Sequence, residues 1–362
     1  MPPLPFLFRG FRRFSAVALL LAAGVFLWRT WMALGRTPRG ARLARCQASP
    51  NWKDGAFRFS EPTVVMPKDG KRSPWRGWKD LFFGNPALRL SPASPIEVVR
   101  TDLAALPRDR DWLVWFGHSS YLLNLGGIRY LVDPVFGRAS PVPLGGKPFP
   151  ATHRYAARDI PDPDVVVLTH DHYDHLEWTT VRALRKRAKR FVCPLGVGEH
   201  LEKWGVDPDK ITELDWGDRD GASGLTALPA RHFSGRTFKR NRSLWASYLL
   251  EAGGKRLYLG GDGGYGKHFA AIGREYGPID LAILENGQYN DAWPFVHCRP
   301  AELPQAVRDL GCRAFLTVHH GKYILSQHPW DEPWANERAA AEETGVPLLS
   351  PRMGEVLPLD AF

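Results

Sequence analysis

Three imidazoles and two carboxylates fall within six consecutive positions, His170-Asp171-His172-Tyr173-Asp174-His175. Imidazole and carboxylate together suit Zn²⁺, with Mn²⁺ or Fe as alternatives. His170 and His172 stand two apart, so an extended loop places both on one side. Asp174 and His175 turn back where a helix is expected to begin, so the run offers ligands to two adjacent ions. Asp171 and Tyr173 read as ordinary core or surface residues. Such a density of ligands would make a poor hydrophobic core, and metal binding is its natural chemistry.

The elements that must hold this run are legible around it. Residues 165–168 form a short buried strand directly before it, and residues 176–189 an amphipathic helix after it. Upstream, residues 112–116, 121–125 and 128–132 are short apolar strands, with Gly126-Gly127 as the turn of a hairpin. Further strands are predicted at 191–192, 225–228, 247–250, 256–259, 281–284 and 314–318, and helices at 269–276, 302–310 and 334–344. Strands mixed with helices along the whole length imply an α/β layered domain, sheets inside and helices outside. Residues 46–95 lack periodicity and read as an irregular arm, with Trp75, Trp78, Phe82 and Phe83 among its apolar residues.

The chain of 362 residues suits one catalytic domain, residues 96–362, plus appendages. Its net charge is +10, but residues 1–45 hold eight arginines and no acid, so the remainder carries only +2. That distribution argues against a nucleic-acid partner. Residues 1–45 contain an apolar run at 14–28 behind Arg9, Arg12 and Arg13, flanked by Trp28, Arg29 and Trp31. They are read as a membrane anchor, uncleaved rather than a removed signal, placing the protein at a membrane, the bacterial inner membrane by expectation. Cys46, Cys193, Cys298 and Cys312 form no CxxC pair and are read as buried or incidental thiols. Arg182, Arg185, Lys186, Arg187, Lys189 and Arg190 read as a solvated helix face, ahead of a surface against anionic lipid head groups. Lys239, Arg240 and Arg242 form a second basic cluster, nearer in sequence to a further histidine, and invite a phosphate-binding role.

His-x-His-x-Asp-His after a buried strand resembles the signature of the metallo-β-lactamase superfamily, an αββα sandwich. The resemblance implies a ligand set drawn from later strand ends. His170, His172 and His232 would hold one Zn²⁺, Asp174, His175 and His319 a second, and Asp262 would bridge the two. His320 adjoins His319, but alternation sends the pair to opposite faces, and His319 is the expected ligand. Val114-Trp115-Phe116-Gly117-His118, Asp133-Pro134-Val135-Phe136-Gly137-Arg138 and Gly261-Asp262-Gly263-Gly264-Tyr265 are similar to one branch, that of N-acylphosphatidylethanolamine-hydrolysing phospholipase D. The branch implies a phospholipid substrate, a membrane surface as partner and a homodimer as one arrangement. It also implies cleavage of the substrate to phosphatidic acid and N-acylethanolamine. His297 matches a histidine of that branch near the site. Leu284-Glu285-Asn286-Gly287 departs from it, placing a carboxylate in a loop where the phospholipase is uncharged.

Two bound ions can acidify a water and polarise a phosphoryl oxygen. Asp174 is then both ligand and proton acceptor, while Tyr265 and His297 are candidates to orient or protonate the leaving oxygen. Glycines 260, 261, 263 and 264 fit close backbone approach. A lactonase or nuclease on the same fold, or a non-catalytic envelope-associated regulator, are the competing readings.

Overall fold

The computed structural model describes residues 5–64, 88–142, 145–237 and 239–360. The segment Trp112–Trp115 shows why the chain layers as it does. Leu113 and Trp115 enter one apolar cluster, Trp112 and Val114 another, and all four are buried. A strand covered on both faces reads as a continuous apolar run, which is what the sequence displays.

Helix α1 (Pro5–Ala33) and helix α2 (Gly40–Ala48) precede a small hairpin, β1 (Trp52–Lys53) and β2 (Ala56–Phe57). The first large sheet then takes β3 (Trp112–Trp115), β4 (Tyr121–Leu125), β5 (Ile128–Val132), β6 (Val165–Val167), β7 (Arg190–Pro194) and β8 (Ile211–Leu214). The second takes β9 (Arg219–Asp220), β10 (Leu225–Leu228), β11 (Ser247–Ala252), β12 (Lys255–Leu259), β13 (Ile279–Glu285), β14 (Cys312–Val318) and β15 (Leu348–Leu349). The final strand, β16 (Val356–Pro358), returns to pair antiparallel with β3. Each sheet is antiparallel over one half and parallel over the other, the change falling at β5 in the first and β12 in the second.

The inner faces meet in a cluster that includes Leu123, Tyr130 and Val167 from one sheet and Tyr248, Leu259 and Leu316 from the other. Outside the first sheet, Trp178, Val181 and Leu184 of α3 (Trp178–Leu184) and Leu201 of α4 (Gly198–Lys203) close a second cluster. Outside the second sheet, α5 (His268–Tyr276), α6 (Leu303–Leu310) and α7 (Glu332–Thr344) supply Ile272, Val307 and Ala340 to a third. The layering is helix, sheet, sheet, helix. Helix α3 stops at Leu184, well short of residue 189, and the basic residues beyond it lie in turns leading to β7 and, with Arg190, at its start. All four cysteines are buried and free.

The N-terminal region departs from expectation. Helix α1 carries strongly exposed apolar residues, Leu19 at 71% and Leu20 at 72% among them. Yet among the described residues no helix is long and apolar enough to cross a membrane. A span needs about 20 apolar residues, and here Arg9, Arg12, Arg13 and Arg29 bracket a shorter run. The expected anchor is corrected on that point.

The end of α1 is instead tied to the domain. Trp204 Nε1 donates to Met32 O at 2.8 Å, and Lys203 Nζ donates to Trp31 O and Gly35 O, each at 2.7 Å. Beyond it, Arg42 reaches Glu213 at 2.7 Å, Glu202 at 2.9 Å and Glu199 at 3.0 Å. Cys46 is fully buried with Phe57, Leu195 and Trp245. Residue 45 therefore lies inside a packed segment. Of the arm, residues 65–87, with Trp75, Trp78, Phe82 and Phe83, lie outside the described residues.

Arg42 is mostly buried and faces three carboxylates, so its removal strands charge in a poorly solvated place. Arg42→Ala should lower the unfolding free energy by roughly 3 kcal/mol, read from the urea midpoint. Deleting residues 1–27 should leave that midpoint in place, because the tethers start at Trp28 and beyond.

Candidate metal centre

The residues of the centre lie at or just past strand ends, or in turns, on one edge of the sandwich. From the first sheet, the β3–β4 turn brings His118, the end of β5 brings Asp133, and the end of β6 brings the run His170 to His175. From the second, the ends of β10, β12, β13 and β14 bring His232, Asp262, Glu285 and His319. Polar groups gather there because the backbone leaves the sheet and the side chains no longer face an apolar layer.

Three groups of potential ligands result: His170, His172, His232 and Asp262 in the first, His118, Asp174, His175 and His319 in the second, and Asp262, Glu285, His297 and His319 in the third. In the first, His172 Nδ1 lies 2.8 Å from His170 Nε2 and 3.2 Å from His232 Nε2. In the second, Asp174 Oδ2 lies 3.4 Å from the Nε2 atoms of both His175 and His319. Asp262 reaches histidines of both of these clusters. Its Oδ2 is 3.7 Å from His170 and His232 and 3.1 Å from His319, and its Oδ1 is 3.1 Å from His175 Nε2. The seven residues expected as metal ligands thus come together, with Asp262 between the two triads.

The ring nitrogens that face away from the centre are engaged. His175 Nδ1 meets Asp133 Oδ2 at 2.7 Å. Asp133 Oδ2 also accepts the Thr169 hydroxyl at 2.6 Å, which leaves Thr169 Oγ1 to accept from His170 Nδ1 at 2.9 Å. His232 Nδ1 donates to Val296 O at 2.8 Å. His319 Nδ1 lies 3.3 Å from Glu285 Oε2, within ion-pair range but without hydrogen-bond geometry. Such outward hydrogen bonds fix the tautomer and turn the opposite nitrogen inward. His175 Nε2 and Asp262 Oδ1 are buried without a hydrogen-bond partner of good geometry. Orphaned inward-facing atoms in a desolvated His and Asp cluster are what a metal-binding set presents, so the residues fit the group.

Burial alone would neutralise these groups, and their mutual fields decide otherwise. Burial, the largest single effect, raises Asp262 and Asp174, but the imidazoles around them together outweigh it, His175 and His319 at Asp262 and His175, His118 and His319 at Asp174, so both carboxyls stay well below the usual range. Burial lowers His170 and His232 well below an ordinary imidazole, whereas at His175 and His319 burial is outweighed by Asp262 and the other nearby carboxylates, and both rise well above it, so that an ion bound there would displace their protons. Neutral imidazoles and ionised carboxylates are the ligating forms.

Sequence reasoning missed three residues of this centre as site residues. His118, fully buried, places Nε2 2.8 Å from Asp174 Oδ2, and its imidazole is brought down to about 3 by burial first and then by His319. A neutral ring there donates a hydrogen bond to Asp174. Asp133 supports ligands of both triads. Glu285 is the last residue of β13 and buried, not a loop residue, and its Oε2 accepts from His297 Nδ1 at 2.8 Å. A weak signal was present for each: polar residues directly beside apolar strands, at the Gly117-His118, Val132-Asp133 and Leu284-Glu285 junctions.

Of the remaining expectations, His297 lies beside the centre, its ring 5.3 Å from that of His232 and 5.0 Å from that of His319. Tyr265 does not reach the centre. Its hydroxyl donates to Asp309 of α6 at 2.6 Å and its ring stacks on Phe269, so it is a packing residue and not a proton donor. The two neighbouring histidines are placed differently. His319 has φ +71, which turns it inward at the strand end, while the ring of His320 packs against Trp115 and Trp334. Gly261 bears out the close approach expected of its segment, since a Cβ there would stand 2.8 Å from Thr169 Cβ and from Ala246 O.

Comparison with known proteins agrees with this geometry. Residues 128–320 match the Beta-lactamase superfamily domain, and the chain belongs to the metallo-β-lactamase superfamily of metal-dependent hydrolases. It is 42% identical over 359 residues to the uncharacterized protein Rv0906 of Mycobacterium tuberculosis, covering 95% of this chain and 94% of that one. It is 32% identical over 228 residues to N-acyl-phosphatidylethanolamine-hydrolyzing phospholipase D 1 of Caenorhabditis elegans, covering 58% of this chain and 64% of that enzyme. Among solved structures, the metallo hydrolase Igni18 of Ignicoccus hospitalis superposes with a TM-score of 0.53 at 18% identity, over 69% of this chain and 98% of its own, a likeness of fold.

The two adjacent histidines should separate cleanly by experiment. His319→Ala should abolish turnover and lower bound metal, whereas His320→Ala should keep the metal and cost about 2 kcal/mol of stability through its lost packing. Metal content by mass spectrometry and a denaturation curve on each variant decide the ranking. Glu285→Gln should reduce turnover or metal affinity by about 10–100-fold, measured by steady-state kinetics and chelator competition.

Proposed function

We propose that this chain is a dinuclear zinc phosphodiesterase of phospholipase D type, which cleaves N-acylphosphatidylethanolamine to phosphatidic acid and N-acylethanolamine. The observation that carries this reading is the pair of triads sharing Asp262, with His297 held beside them by Glu285. His170, His172 and His232 would hold one ion, Asp174, His175 and His319 the other, and Asp262 would contribute to both. A metal pair bound there supplies Lewis acidity toward a phosphoryl oxygen and brings a water toward neutrality in pKa.

The protein's own groups then have distinct tasks. Asp174, kept ionised by His175 and fixed by His118, is placed to accept a proton from the attacking water. Water adds at phosphorus, and the bond from phosphorus to the ethanolamine oxygen breaks. With Nδ1–H committed to Glu285, a doubly protonated His297 gives its Nε2 proton to that departing oxygen, and the proton taken up by Asp174 returns through solvent. The nematode relative's activity supports the choice of substrate. The exposed apolar residues of α1 support contact with a lipid surface, lying against it rather than crossing it.

Incubating the metal-loaded protein with a phospholipid panel should release phosphatidic acid and N-acylethanolamine, identified by mass spectrometry. Opening of lactones with every phospholipid left intact would replace this reading. Asp262→Ala should remove turnover and lower bound metal together. A variant that keeps two equivalents of metal and full rate would show that Asp262 bridges nothing.

A further inference from the structure

A cavity of about 400 Å³ opens between the segment that follows α1 and the loop after His232. Asp171 lines it, while its neighbours His170 and His172 belong to the metal centre. Four cations, Arg36, Arg236, Lys239 and Arg242, face this one carboxylate. Asp171 is already occupied. Its Oδ1 accepts from Gly235 N–H at 2.7 Å, and its Oδ2 accepts the Ser243 hydroxyl at 2.8 Å and lies 3.3 Å from His200 Nε2. Arg36 is likewise paired, with Glu199 at 2.5 Å.

The other three cations are not neutralised at contact distance. Arg236 is buried and spends its donors on the carbonyls of Ala33, Asp171 and Leu176, with its guanidinium over the rings of Tyr173 and Trp204. Arg242 commits only Nη1, to Gly55 O at 2.7 Å, and stacks on Trp52. Lys239 Nζ is exposed and has no hydrogen bond or ion pair among the described residues. The field reaches Lys203, whose ammonium is brought down to about 8, by burial first and then by Arg36 and Arg236.

We propose that this cavity binds a phosphate-bearing anion at a site separate from the metal centre. Three unneutralised cations exceed what one carboxylate offsets, whereas a phosphate monoester carries about −1.5 to −2. Arginine and lysine together suit such a tetrahedral anion. Leu34 continues the cavity wall into α1, where Leu27 and Trp31 are 65% and 59% exposed. A glycerophospholipid could therefore seat its headgroup phosphate in the cavity with its chains along that helix. Free phosphate is the other source of the same chemistry.

The test uses metal-loaded, full-length protein and the variant Lys239→Glu/Arg242→Glu. Both are titrated with inorganic phosphate by calorimetry and floated with phosphatidylcholine vesicles, with and without phosphatidic acid. Reversing the two charges should weaken binding by about tenfold or more, 1.4 kcal/mol or above. A loss confined to the phosphate titration assigns free phosphate, and a loss confined to vesicles containing phosphatidic acid assigns the lipid headgroup. Loss in both assays supports the shared chemistry. Metal content and turnover of a soluble phosphodiester should stay unchanged. Wild-type behaviour in both assays overturns the proposal, and so does turnover that falls in step with phosphate binding, since the anion would then sit at the metal centre. Lys239→Glu alone, at an exposed residue whose side chain makes no hydrogen bond or ion pair among the described residues, keeps the test readable if the double variant does not fold.

Discussion

The Asp262 carboxylate, drawn out of water and held between imidazoles, is the contact on which the rest of the centre depends. A buried carboxylate is costly unless charge or hydrogen bonds compensate it. Here His175 and His319 stand 3.1 Å from its two oxygens, one imidazole from each sheet. The same carboxylate touches both triads, so neither can shift without the other. The tight approach of the β12 end to Thr169 follows from this, because Asp262 reaches the centre only if Gly261 passes hard against the metal loop.

The supporting acids obey a common logic. Asp133 and Glu285 each accept from the outer side of an imidazole while the inner nitrogen faces the cluster. His118 inverts the arrangement, a neutral ring supporting the carboxylate of Asp174. Three of the supporting and ligating residues, His118, Asp133 and His319, also adopt positive φ. Backbone in that region is unfavourable for residues with a Cβ and persists where surrounding contacts over-determine it. At this edge those contacts include reciprocal bonds between the two sheets: His118 N–H donates to His320 O at 2.8 Å, and His319 N–H donates to His118 O at 3.0 Å.

Much of this was legible in the sequence, and the reasons for the rest are specific. The run from His170 to His175 announced itself because its ligands are contiguous and a core would reject them. The strands were legible because burial on both faces makes them continuous apolar runs. His118, Asp133 and Glu285 escaped because each is a lone polar residue beside a strand, and its partner lies far along the chain. Tyr265 misled because its place beside Asp262 in sequence says nothing of its ring, which α6 draws away. The first 45 residues were read as one appendage, but charge pairing with Glu199, Glu202 and Glu213 depends on acids more than 150 positions downstream. No local pattern encodes it.

The division of ligands between the sheets has a further consequence, for assembly. The first triad takes His170 and His172 from one sheet and His232 from the other, and the second takes Asp174 and His175 from one and His319 from the other. Neither half of the chain alone holds a complete set. An ion held by both triads would gain its full coordination only after the two half-sandwiches have docked, and would then act as a rivet across their seam. Because it favours the docked state over the separated one, it adds stability in proportion to its affinity. The seam is then the part of the molecule whose opening a bound metal would slow most.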